Sequence, residues 1–80
     1  DEVRDALARV REHHGLDEPT VRMTKVGRKL YVDVVFLVEP GRWAVEQEDA
    51  VRRDAAVALA GLPYEPWLSV ELTTDPGLVG

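Results

Sequence analysis

The sequence predicts a small α+β domain in the order helix, strand, strand, helix, strand, with a three-stranded sheet that carries two helices on one face. Three observations point there. Apolar residues recur at helical spacing over residues 3–14 and again from about 43 to 60. Two β-rich runs flank Gly27-Arg28, and a third run alternates apolar and polar residues over 67–74. Helices that each own one apolar stripe must bury it on a sheet face, which gives two layers.

The first helix is set by Val3, Ala6, Leu7 and Val10 at i, i+3, i+4 and i+7, with Arg4, Asp5, Arg9, Arg11 and Glu12 pointing elsewhere. Asp1 and Glu2 lie at its positive end and His13 and His14 at its negative end, as the helix dipole favours. Gly15 stops it, and Pro19 keeps residues 16–19 as loop. The runs 20–26 and 29–38 then form a hairpin, because glycine at the first central position suits a type II′ turn. That turn fixes the register. Val26 faces Lys29, Thr24 faces Tyr31, Arg22 faces Asp33 and Thr20 faces Val35 on the outward side. Lys25 meets Leu30, Met23 meets Val32 and Val21 meets Val34 on the core side, which Phe36 and Val38 continue. Tyr31, Val35 and Leu37 are left outward, an apolar stripe that a lone domain does not normally expose.

Pro40-Gly41 ends the hairpin. A second helix runs from about Trp43 to Ala60 on a stripe of Ala44, Val51, Ala55, Ala58, Leu59 and Leu62, with Glu46, Glu48 and Asp49 early and Arg52 and Arg53 later. Gly61 and Pro63 stop it, and the Pro63-Tyr64-Glu65-Pro66 segment reads as a stiff connector. The last strand spans Trp67 to Thr74, with Leu68, Val70 and Leu72 inward and Trp67, Ser69, Glu71 and Thr73 outward, before an Asp75-Pro76-Gly77 turn.

Eighty residues make one domain spanning 1–80. A chain of that size buries only roughly 60% of its unfolded surface, so self-association adds useful stability. The apolar fraction of 45% and charged fraction of 31% are those of a globular chain. A net charge of -5 argues against nucleic acid as a partner; it is compatible with cations but is more commonly plain solubility. No cysteine is present, which excludes disulfides and thiolate zinc sites. No apolar run, Val34 to Val38 among them, approaches the length of a membrane span, and no signal-peptide pattern appears. The start at Asp1 without methionine leads us to expect a piece of a longer chain. No enzyme is expected: Ser69 is the only serine, the histidines lie on a different element, and no glycine-rich turn opens a helix to cradle phosphate.

The segments Val26-Gly27-Arg28-Lys29-Leu30-Tyr31-Val32-Asp33-Val34, Glu39-Pro40, the acidic start of the second helix, and Val70-Glu71-Leu72-Thr73-Thr74-Asp75-Pro76 occur in an order and spacing that resembles the cytoplasmic C-terminal domain of cation diffusion facilitator transporters. The likeness covers residues 3 to 77. It implies a ferredoxin-like, metallochaperone-like fold, a homodimer, and a parent with six transmembrane helices that exports divalent cations in exchange for protons. It places the domain on the cytoplasmic face of the cell membrane, with no membrane insertion of its own, as a regulatory appendage that binds a divalent metal such as zinc at its dimer interface. The family's zinc-binding histidines fall by position on Val35, Asp49 and Thr73, of which only Asp49 is a good ligand. The family's acidic residue is matched by Asp75, and a further loop histidine is replaced by Asp17-Glu18-Pro19. The resemblance thus implies weakened or altered metal binding. An independent ferredoxin-like module that binds a small ligand or a protein is the alternative.

Each candidate residue has two readings. His13 and His14 could be ligands in a relocated site with Asp17 or Glu18, although neighbours on a helix point different ways; they also suit the helix C-terminus simply as charges. Asp49 and Asp75 could bind a cation across a dimer, or serve as a helix-start acid and a turn acid. Tyr31, Val35, Leu37, Trp43 and Thr73 are the candidate dimer contacts. Trp43, Trp67, Tyr31 and Tyr64 could stack on a ligand, but in so small a chain rings more commonly cover a core edge or an interface.

Overall fold

The computed structural model describes residues 1–79. Helix α1 (Glu2–His14) begins where the Asp1 carboxylate accepts the Arg4 N–H at 2.8 Å. It ends because Gly15 takes a left-handed φ of 66°, which lets Gly15 N–H reach Glu12 O (3.3 Å) and Leu16 N–H reach Arg11 O (3.0 Å). Leu16 then folds under the helix and is buried, the apolar contact that accompanies this type of helix end. Val3, Ala6, Leu7 and Val10 are all buried, so the expected stripe is the face that packs.

Strands β1 (Thr20–Val26) and β2 (Lys29–Leu37) pair antiparallel in the predicted register, from Thr20 opposite Val35 to Val26 opposite Lys29. Gly27 has φ 60° and, among the described residues, only glycines have a positive φ, so Arg28 does not, as a II′ turn requires. Helix α2 (Val45–Ala60) follows, then β3 (Glu65–Thr73), which pairs parallel to β2, and a short 3-10 turn (Pro76–Leu78). The sheet order β1-β2-β3 leaves β2 central and both neighbours as edges. Helices α1 and α2 pack together, and α2 also lies against β3. One core joins both layers: Leu30, Val32, Val34 and Phe36 from β2, Val70 from β3, and Val51, Ala55 and Leu59 from α2. Burial of each large apolar side chain there contributes about 1.5–3 kcal/mol. The α-β-β-α-β order and mixed sheet are those of a ferredoxin-like α+β fold. No helix among the described residues is long and apolar enough to cross a membrane.

Several boundaries and orientations differ from the sequence reading. Helix α2 starts at Val45 rather than Trp43, because Ala44 is extended and its N–H is taken by the Gln47 side chain at 2.8 Å. Trp43 therefore belongs to the loop that enters α2, half-buried against the core. Glu65-Pro66 is strand rather than connector. An edge strand tolerates proline because one side of it needs no ladder donor, and Glu65 N–H bonds Arg28 O at 2.8 Å. Thr73 lies on the outward face but is buried. The chain turns back at Asp75, whose N–H donates to Thr73 Oγ1 at 3.1 Å.

Candidate functional site

The outward face of the sheet is built by the hairpin register and the parallel pairing together. Thr24, Tyr31 and Trp67 form one row across it, Arg22, Asp33 and Ser69 the next, and Thr20, Val35 and Glu71 the third. Neighbours in a row lie within side-chain reach. Tyr31 and Trp67 stack with ring centroids 6.2 Å apart and 24° between planes, yet Trp67 remains 61% and Tyr31 42% exposed. Val26 at one end and Leu37 at the other are exposed as well. Val35 is half-buried, because Leu78 and Val79 return across the face and border a shallow pocket with it. Of the five residues predicted for a dimer contact, Tyr31, Val35 and Leu37 lie on this face with open surface. Thr73 is buried, and Trp43, half-buried, borders the cleft at the end of the sheet instead. Trp67 and Val26 take their places, and their alternation along β3 and β1 was the available signal.

The second site lies on the opposite layer. His14, at the end of α1, meets Asp54, on α2, with Nε2 to Oδ2 at 2.6 Å; the two side chains are 14% and 47% exposed. His13 sets its ring edge-on to that of His14, centroids 4.9 Å apart at 88°. One ligand atom from each of His13, His14 and Asp54 can be chosen so that all lie within 4.8 Å of one another. Although adjacent helix residues point different ways, the His13 and His14 rings at the last turn of α1 stand close enough for one ligand atom of each to lie near Asp54. Asp54 was missed by sequence reasoning. It sits at i+3 from Val51 and i−4 from Ala58, a carboxylate inside the apolar stripe of α2, and that interruption was the signal.

The other predicted ligands have different partners. Asp49 pairs with Arg52 at 3.3 Å, and Arg52 also donates from Nε to Val70 O at 3.1 Å, tying α2 to β3. Asp75 caps the final turn by accepting Gly77 N–H at 2.9 Å. Glu18 and Asp17 are exposed in the loop, and Asp17 borders a cleft with Leu37, Glu39, Arg42 and Trp43 at the end of the sheet. Within one chain, the cluster of His13, His14 and Asp54 is the group of three such ligands that converges among the described residues. These three could hold a metal ion; of the positions the transporter resemblance points to, Val35 offers no donor and Thr73 Oγ1 accepts the Asp75 N–H.

Compared with known proteins, the chain matches no family model, no curated protein and no solved structure.

Proposed function

We propose that the chain is a dimerising regulatory domain on the cytoplasmic side of a proton-coupled divalent-cation efflux transporter, with weakened or altered metal binding in this domain. The observation that carries the dimer is the exposed Tyr31–Trp67 stack, flanked by Val26 and Leu37 on the face opposite the helices. Exposed rings of this size on a domain that is small for its own core favour covering by a second copy, because aromatic anchors dominate interface energies. The transporter assignment is supported by the order of segments from Val26 to Pro76, now placed on an α-β-β-α-β fold. Weak metal binding on this face is supported by valine and a hydrogen-bonded threonine at positions 35 and 73.

Sedimentation of the chain over a micromolar-to-millimolar series tests the dimer, and a strict monomer throughout refutes it. Reading the gene upstream of Asp1 tests the transporter: several apolar spans of about 20 residues support it, and a start codon immediately before Asp1 refutes it.

A further inference from the structure

We propose that His13, His14 and Asp54 form a binding site for one first-row transition-metal cation of the zinc class, clamping the end of α1 to the middle of α2. The proposal rests on side-chain geometry alone and not on the transporter reading. Two imidazoles and a carboxylate are the donor set of open zinc sites, in which water completes a fourth position. Imidazole also selects against magnesium and calcium, which prefer all-oxygen shells. The donors come from two elements that the core already packs together, so little chain ordering remains to be done when an ion arrives.

The distances suit replacement of a hydrogen bond by a metal bridge. Tetrahedral ligands at about 2.0–2.1 Å from zinc lie roughly 3.3 Å apart. His14 Nε2 and Asp54 Oδ2, now 2.6 Å apart, need to separate by less than an ångström. Asp54 is about half exposed and free to rotate that far. His13 only has to close from within 4.8 Å. The His14–Asp54 contact by itself would account for a helix clamp. What it leaves unexplained is a second imidazole, exposed, held edge-on at the same point. Arg9 borders the groove between the helices beside His13 and Asp54, and its charge counts against any cation there, the more so against a second. A single ion is therefore expected.

Titrating the chain with zinc chloride, followed by calorimetry and by histidine ring resonances, tests the site. One zinc should bind per chain with both histidine signals shifting, the thermal midpoint should rise by several degrees, and magnesium chloride should do neither. His13→Ala and Asp54→Asn should each weaken zinc binding by about tenfold or more. Should Asp54→Asn loosen the helices, His13→Ala still decides, because it keeps the His14–Asp54 contact. Absence of saturable binding up to millimolar zinc overturns the proposal. So does undiminished binding by His13→Ala, or one zinc per two chains.

Discussion

Replacing Trp67 by alanine removes the largest exposed ring of the outward face without touching the buried core. A tryptophan offers about 250 Å². With 61% of it open to water, complete covering by a partner would bury about 150 Å² and contribute about 4 kcal/mol. Partial covering and the ordering of side chains bring such contributions down to about 2–4 kcal/mol at interface centres. In a twofold dimer each copy supplies one ring, so both are lost together. The dimer dissociation constant should therefore rise about a thousandfold or more, the equivalent of about 4 kcal/mol for the two rings together. Sedimentation velocity over a concentration series reads this directly. The isolated fold should lose only the Tyr31 stack, about 0.5–1.5 kcal/mol, visible as a modest fall in thermal midpoint by circular dichroism. A dimer that forms with unchanged affinity in the variant would refute the placement of the interface on this face.

Other perturbations test the fold and the helix clamp. Phe36→Ala empties the largest fully buried site and should cost about 3–5 kcal/mol, enough in a domain of this size to leave much of the chain unfolded at 37 °C by circular dichroism. At Gly27, where φ is 60° and an added Cβ would meet nothing within 4 Å, alanine should cost about 1–2 kcal/mol from backbone strain alone, measured by urea unfolding; no loss would argue against the II′ turn. A double-mutant cycle of His14→Ala and Asp54→Ala in metal-free buffer should return a coupling of about 1 kcal/mol. That lies between the values for exposed ion pairs and for buried charge-assisted bonds, as suits one largely buried and one half-exposed partner. A coupling near zero would mean that the 2.6 Å contact holds nothing.

Local chemistry made most of the fold legible. Gly27 fixes the turn, the turn fixes the register, and period-2 alternation then assigns Leu30, Val32, Val34 and Phe36 to the core, where all four are buried. What local reasoning mistook depends on chain reversals or on packing between elements. Thr73 has the period of an outward residue, but the turn at Asp75 folds over it. Pro66 looked like a break because its position on an edge strand is a property of the sheet, not of the segment. Trp43 looked like the start of the second helix, but Ala44 is extended and the core takes the ring as part of the entry loop. The metal-type cluster was half legible: His13 and His14 were singled out, whereas Asp54, forty residues beyond His14, joins them only once α1 and α2 pack.

The two candidate surfaces lie on opposite layers, and that separation has a measurable consequence. If copies meet through Tyr31 and Trp67, the cluster of His13, His14 and Asp54 faces away from the contact, and an ion held there is not shared between chains. Its influence has to pass through Val51, Ala55 and Leu59 to the inner face of the sheet. Opening the 2.6 Å His14–Asp54 contact to metal-bridge spacing shifts the helices by less than an ångström. A close-packed core can absorb such a shift without reordering the far face. Zinc should accordingly raise the unfolding free energy of the chain by mass action, while the dimer dissociation constant, measured with and without zinc, moves by less than about tenfold, or 1.4 kcal/mol. A dimer that forms only with zinc would require the ion to sit between copies, and would move either the interface or the metal from the face assigned to it.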